Sequence, residues 1–260
     1  MQIQKALVYT LLPLSLIGCS SSPTGRYQLV MFSDQEMSTL GAESFESMKQ
    51  TQTISTDKQT IDYVQCVTYS ILPYVDTQES FSEWEVVVFE SDQVNAFALP
   101  GGKIGVYTGL LKVAKTPDQL ATVIGHEIAH VLADHSNERM SQSQLANVGL
   151  QVTNATLSNS EYQQVTMTAL GLGVQYGVIL PYGRTQESEA DIIGLELMAK
   201  AGFDPYQSIE LWKNMALASG GSQPPELLST HPSHTTRISD LSDKAETLPE
   251  SGTGTPKCTR

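Results

Sequence analysis

Three of the chain's five histidines lie within IGHEIAHVLADH, at residues 124–135. Two of them form the pattern His126-Glu127-x-x-His130. Positions four apart in a helix project from one face, about 40° apart, so these two imidazoles can bind one metal ion. Glu127 lies about 100° round the helix, where it can accept a proton from a water molecule at the metal. The pattern indicates a hydrolytic metal site, although a bare H-E-x-x-H also occurs by chance on ordinary helix faces.

A third metal ligand must come from elsewhere, because a catalytic zinc site has three protein ligands and one open position. Residues 184–203 are predicted to form a helix with Glu187 and Asp191 on one face. One carboxylate can bind zinc while the other holds the second ring nitrogen of a histidine ligand. His135 follows His130 by five residues, a spacing that points it away, and we predict a surface or capping role for it.

The elements that must position these residues are mostly helical. The predicted features are a capping box at Ser33–Glu36, a helix over residues 58–72, a strand over residues 84–89, a hairpin of residues 95–99 and 103–108 with a Pro-Gly turn, and a helix beginning near Thr116 and Pro117. The sequence therefore predicts the α+β class, as one predominantly helical domain with a small, mostly antiparallel sheet beside the zinc-binding helix.

Residues 141–182, between the two metal-binding helices, are ambiguous. Their apolar end, residues 165–180, is about sixteen residues long, whereas a membrane-spanning helix needs about 20. A buried helix is the favoured interpretation. A lid over the cleft and a surface that touches lipid are the alternatives.

The N-terminus has the pattern of an export signal. Residues 1–18 combine one lysine with a short apolar run and are predicted to be a signal peptide. Residues 16–19, Leu-Ile-Gly-Cys, resemble the lipobox of bacterial lipoproteins, which implies a lipid on Cys19 and a tether over residues 19–32. Serine after that cysteine implies sorting to the outer membrane of a Gram-negative bacterium, facing the periplasm.

The charge balance restricts the partners. Loss of residues 1–18 removes Lys5 and changes the formal net charge from −13 to −14. Nucleic acid is excluded as a partner because its phosphates require a basic face. Membrane attachment is therefore assigned to the lipid.

The other two cysteines, Cys66 and Cys258, are expected to pair in an oxidising compartment. The bond would hold the C-terminal tail, residues 248–260, whose Gly, Pro and Thr content otherwise indicates disorder. The remaining residues, 33–247, are predicted to form the catalytic domain.

The chain resembles the HtpX/Oma-type family of gluzincin metallopeptidases over about residues 35–245, and within it the lipid-anchored bacterial members. Three motifs carry the resemblance, which are HEIAH at 126–130, ESEAD at 187–191, and THP at 230–232 with the following residues through Arg237 and Ile238.

The resemblance implies one zinc ion per chain, with His126, His130 and Glu187 as its ligands. It implies Glu127 as general base, and Asp191 and Arg237 as residues that support the ligands. Glu189 is the alternative third ligand, although the E-x-x-x-D spacing of the family motif favours Glu187.

The resemblance also implies a role for His231, which precedes a proline and is predicted to lie on an extended loop. In the family, this histidine lies near the metal, where it either assists the oxyanion or closes the open metal position. His234 lacks that support and is predicted to be a surface residue. The strand Asn95, Ala96, Phe97 and Ala98 is expected to pair with an extended substrate through its backbone.

Together these features predict a zinc-dependent endopeptidase anchored to the outer membrane that cleaves unfolded or misassembled envelope proteins. Other proteins of outer-membrane assembly or quality control are expected partners. The alternative is a chaperone-like periplasmic binding lipoprotein whose zinc site is structural or self-inhibited.

Overall fold

The computed structural model describes residues 19–76, 83–158, 160, 162–175, 179–218, 220, 234–249 and 254–260. The strands are β1 (Cys19–Ser21), β2 (Tyr27–Leu29), β3 (Glu85–Phe89), β4 (Ala96–Leu99) and β5 (Lys103–Tyr107). The helices are α1 (Asp34–Thr51), α2 (Lys58–Ile71), α3 (Pro117–Leu132), α4 (His135–Thr156), α5 (Gln163–Val174), α6 (Leu180–Lys200), α7 (Gln207–Ala218) and α8 (His234–Thr247). The predicted α+β class, with helices predominating, is confirmed.

The three-stranded sheet has the order β3-β5-β4. β4 and β5 form the predicted antiparallel hairpin, and Gly101 takes the positive φ of 82° that a type II turn requires. β3 runs parallel to β5. The other two strand pairings among the described residues are antiparallel, namely β4–β5 and β1–β2. β4 is left at an edge of the sheet, beside α3.

Helix α3 begins at a well-formed cap and runs through the core. The Thr116 side chain accepts a hydrogen bond from the backbone N–H of Gln119, and Pro117 occupies the first turn, where its missing N–H costs nothing. The apolar stripe of the helix is fully buried, at Leu120, Ile124 and Ile128. The core therefore fixes which face α3 turns toward α6.

Helices α3 and α6 touch through two glycines. A Cβ built on Gly194 would lie 2.6 Å from the backbone nitrogen of His126, and one on Gly125 would lie 2.7 Å from the carbonyl oxygen of Gly194. Both neighbours are backbone atoms, which cannot rotate aside. Small residues at this crossing thus hold the HEIAH and ESEAD segments side by side.

The substitution Gly194→Ala is expected to lower the free energy of unfolding by about 1 to 3 kcal/mol, because the two helix backbones must separate. Urea denaturation followed by circular dichroism measures the change. Gly149→Ala in α4 is the matched control, since nothing lies within 4 Å of its added Cβ. There the gain in helix propensity should raise stability slightly. Equal effects of the two substitutions would contradict the close helix contact.

The segment predicted as a tether folds into a hairpin. β1 pairs with β2 in register from Cys19↔Leu29 to Ser21↔Tyr27, and β2 packs on α4. The Gln28 side chain donates a 2.5 Å hydrogen bond to the carbonyl of Ala133 and is itself buried. The chain that follows Cys19 is therefore part of the folded body.

The favoured interpretation of the apolar run at residues 165–180 as a buried helix is wrong for the part of that run that lies in α5. α5 has no buried residue, and Val165 is 71% exposed. The outer half of α4 is likewise exposed at Leu145, Val148 and Val152. Apolar composition without a polar face cannot distinguish a core helix from an exposed apolar one. Among the described residues, no helix combines the length and hydropathy needed to cross a membrane.

The predicted disulfide is present. Cys66 of α2 bonds to Cys258, with a Cα–Cα distance of 5.6 Å. Cys258 is buried, and Arg260 Nη1 donates to the carbonyl of Leu111. The described end of the tail is thus held against the core.

Candidate metal centre

The residues His126, His130 and Glu187 converge at the α3–α6 contact. The Nε2 atoms of the two histidines are 3.0 Å apart. Glu187 Oε2 lies 3.5 Å from His126 Nε2, and Glu187 Oε1 lies 3.4 Å from His130 Nε2. One potential ligand atom from each residue falls within 4.8 Å of the other two, so the group could hold a metal ion.

His126 is oriented by a carboxylate behind it. Its Nδ1 lies 3.0 Å from Asp191 Oδ1, so the ring donates there and leaves Nε2 free to bind a metal. Burial lowers the pKa of His126, but hydrogen bonds with Asp191 and Glu187 outweigh burial and raise the pKa to about 9. The carboxylates around this ring therefore favour a positive charge at this position.

Arg237 closes the network from α8. Its Nε and Nη2 donate to Asp191 at 2.7 and 2.5 Å, and Nη1 donates to Glu187 at 3.3 Å. The guanidinium stacks on Trp212 with 3.8 Å between its carbon and the ring centroid. Arg237 and Asp191 thus lie where the sequence predicts residues that support the ligands.

His130 is oriented by His135, and the prediction of a surface or capping role for His135 is wrong. His135 is fully buried, and its Nδ1 lies 2.8 Å from His130 Nδ1. The helical spacing misleads because α3 ends before it. Asp134 takes a left-handed φ of 51°, and α4 starts at His135, so the chain turns back toward His130. Burial lowers the pKa of His135 to about 4, which keeps the ring neutral.

The alternative third ligand, Glu189, faces the other side of α6. Its Oε2 lies 3.1 Å from His135 Nε2, and the carboxylate also pairs with Arg26. Desolvation raises the pKa of Glu189, but its hydrogen bonds, first among them that with His135, dominate and hold the pKa far below its usual range. The structure therefore places Glu187 at the two histidines and Glu189 behind them.

Glu127 is half-buried on α3, next to His126 in the chain and beside the pair of histidines. His231 lies outside the described residues, and so does the motif Thr230-His231-Pro232. His234 begins α8. The structure thus describes Glu127, whereas the role of His231 stays a prediction.

The four residues predicted to bind substrate lie on or beside the edge strand β4. Asn95 is exposed, and its carbonyl accepts from the backbone N–H of Tyr107. Ala96 and Ala98 turn their side chains into the core. Phe97 packs into an aromatic cluster with Phe45, Phe89 and Tyr107. Any contact with substrate would therefore depend on the backbone of β4 more than on these side chains.

The profile of Peptidase family M48 matches residues 59–245, which include both metal-binding helices and Arg237. The chain belongs to peptidase family M48. The assignment to HtpX/Oma-type metallopeptidases is thereby confirmed.

Relatives of this M48 peptidase are found in mitochondria and bacteria. Mitochondrial metalloendopeptidase OMA1 of Schizosaccharomyces pombe is 38% identical over 65% of the chain and 48% of its own length. Its counterpart in Danio rerio is 34% identical over 84% of the chain and 48% of its own length. The β-barrel assembly-enhancing protease of Yersinia pestis is 34% identical over 61% of the chain and 34% of its own length. The chain spans about half the length of these relatives or less.

Proposed function

We propose that this M48 member is a zinc-dependent endopeptidase, anchored to the outer membrane by a lipid on Cys19, that cleaves unfolded or misassembled envelope proteins. The observation that carries the proposal is the convergence of His126, His130 and Glu187 on one point. Two imidazoles and one carboxylate, with room for a further ligand, are the set that catalytic zinc uses in many peptidases.

Neighbouring residues of the chain orient the two histidines and Glu187 for metal binding. Asp191 accepts a hydrogen bond from Nδ1 of His126, and His135 lies against Nδ1 of His130, so both rings direct Nε2 inward. Arg237 balances the two carboxylates and fixes Glu187 by one hydrogen bond. When bound, zinc would polarise the scissile carbonyl and make water acidic enough to react near neutral pH.

Glu127 is the proposed general base. Its carboxylate is the nearest one along α3, and it is partly open to solvent, so it can take a proton from water and return it to the leaving amine. His231 is the proposed partner for the developing oxyanion, on the basis of the family resemblance.

The edge strand β4 supports an extended substrate. Within the part of the chain that the structure describes, β4 pairs with β5 alone, so backbone groups on its other edge are available to a peptide. Backbone pairing recognises an extended main chain more than particular side chains, which suits unfolded polypeptides as substrates.

The envelope location rests on the export signal, the cysteine that resembles a lipidation site, and one bacterial relative. That relative is named for enhancing β-barrel assembly, and barrels are the membrane-spanning form of outer-membrane proteins. Misassembled barrel precursors are therefore the proposed substrate class.

The test is cleavage of an unfolded protein by the purified full chain. Casein should be cut by protein containing zinc, remain intact after the metal is removed with a chelator, and be cut again when stoichiometric zinc is restored. Casein that stays intact at every zinc concentration and pH tried contradicts the peptidase and favours the binding lipoprotein. Cleavage that survives chelation contradicts the metal site.

A further inference from the structure

The N-terminal hairpin contributes a charged side chain to a buried network behind the metal centre. Arg26 Nη1 and Nη2 donate to the two oxygens of Glu138 at 2.7 and 2.8 Å. Glu138 is fully buried at the start of α4, while Arg26 keeps 19% of its side chain exposed. A buried carboxylate requires such a partner, so the hairpin is fastened to α4 by a charge pair.

The same guanidinium reaches α6. Arg26 Nε donates to Glu189 Oε2 at 2.9 Å, and Thr24 of the same hairpin donates through its hydroxyl to Glu189 Oε1. Glu189 Oε2 also lies 3.1 Å from His135 Nε2, and His135 Nδ1 lies 2.8 Å from His130 Nδ1. An unbroken line of hydrogen bonds thus joins Arg26 to a proposed zinc ligand.

The chemistry of this line determines the direction of each proton. Glu189, paired with Arg26, is a carboxylate and can only accept hydrogen bonds. His135 must then donate to Glu189 from Nε2, and in an imidazole with one proton the other nitrogen, Nδ1, is an acceptor. His130 must donate from Nδ1, so its lone pair lies on Nε2, the atom that faces Glu187 and His126.

We propose that Arg26, acting through Glu189 and His135, is a positioning residue that selects the metal-binding tautomer and orientation of His130. The inference rests on the proposed function, because it assigns the N-terminal hairpin to the same zinc site. It makes the hairpin part of the peptidase site although it precedes the matched M48 region, residues 59–245.

The hairpin begins at Cys19, where the lipid is predicted. Six residues of chain lie between that cysteine and Arg26. The predicted site of lipid attachment and the side chain proposed to orient His130 therefore lie in the same short hairpin.

The test compares zinc affinity in the full chain carrying Glu127→Gln, which prevents self-cleavage. Zinc is competed against a chromophoric chelator, and the visible spectrum of the cobalt-loaded protein reports the ligand geometry. Arg26→Met should weaken zinc binding about 10- to 100-fold, the usual effect of losing a residue that orients a ligand. It should also alter the cobalt spectrum, and Arg26→Lys, which retains the charge, should restore much of the affinity.

His135→Phe is the second variant, because it replaces one buried ring by another and leaves Arg26 paired with both carboxylates. It should weaken zinc binding to a similar degree, and the double variant should be no weaker than either single one, since both break one line. The matched control is Lys49→Met. Lys49 is 20% exposed and also pairs with two glutamates, Glu46 and Glu85, but it lies on α1.

The inference is overturned if either Arg26→Met or His135→Phe binds zinc as tightly as Lys49→Met does. It is also overturned if the losses of zinc affinity in the double variant are fully additive. If the Glu127→Gln chain binds zinc but the wild-type chain does not cleave casein, the proposed function is contradicted and the inference about Arg26 is not. In that case the zinc comparison still decides the role of Arg26.

Discussion

Replacing Glu127 by glutamine is expected to lower kcat for casein cleavage roughly 100- to 10,000-fold, the range that general acid–base catalysis supplies. The amide has the shape of the carboxylate but cannot take a proton from water. Because the two histidines and Glu187 form the proposed coordination sphere, zinc content and Tm should stay close to wild type. Single-turnover rates, zinc content by atomic absorption and thermal melting measure the three quantities.

Glu43→Gln is the matched control, since it removes the same charge from the exposed face of α1. It should leave kcat unchanged. A Glu127→Gln protein with full zinc content and wild-type kcat would contradict the general-base role. Loss of zinc together with activity would instead assign Glu127 a role in binding the metal.

Loss of the Cys66–Cys258 disulfide is expected to lower the free energy of unfolding by about 4 to 5 kcal/mol in the chain-entropy model. The reason is the long loop that the bond closes, with a sequence separation of 192. Without the bond, the unfolded chain gains conformational freedom and the tail detaches from α2. Urea denaturation of the Cys66→Ala/Cys258→Ala variant measures the loss.

Wild-type protein unfolded in the presence of a reductant is the control, because it breaks the bond without changing either side chain's volume. The single variants Cys66→Ala and Cys258→Ala should each lose nearly as much as the double variant. A reduced wild-type protein whose urea midpoint is unchanged would show that the bond does not stabilise the fold.

Local chemistry made much of the chain predictable. The capping box at Ser33 and Glu36 and the Thr116 cap both form as the residue types dictate. The hairpin of β4 and β5 follows from a proline and a glycine that suit a type II turn. Each of these rules acts over a few residues, so no knowledge of the distant chain is needed.

The choice between Glu187 and Glu189 could not be made by spacing alone. Both lie in one motif on α6, and both are buried. Gly125 and Gly194 settle the matter, because they bring the backbones of α3 and α6 into contact and so determine which face of α6 meets His126 and His130.

The sequence by itself determined the pattern of two histidines and a glutamate on one helix, the family, the pairing of the cysteines and the local elements. The tertiary structure alone decided the parts that depend on distant contacts. His135 is buried because the chain reverses at Asp134, the segment after Cys19 is ordered because Arg26 neutralises two buried carboxylates, and α5 stays exposed. Helical periodicity says which residues share a face, but the partner of that face is set by packing between segments far apart in the chain.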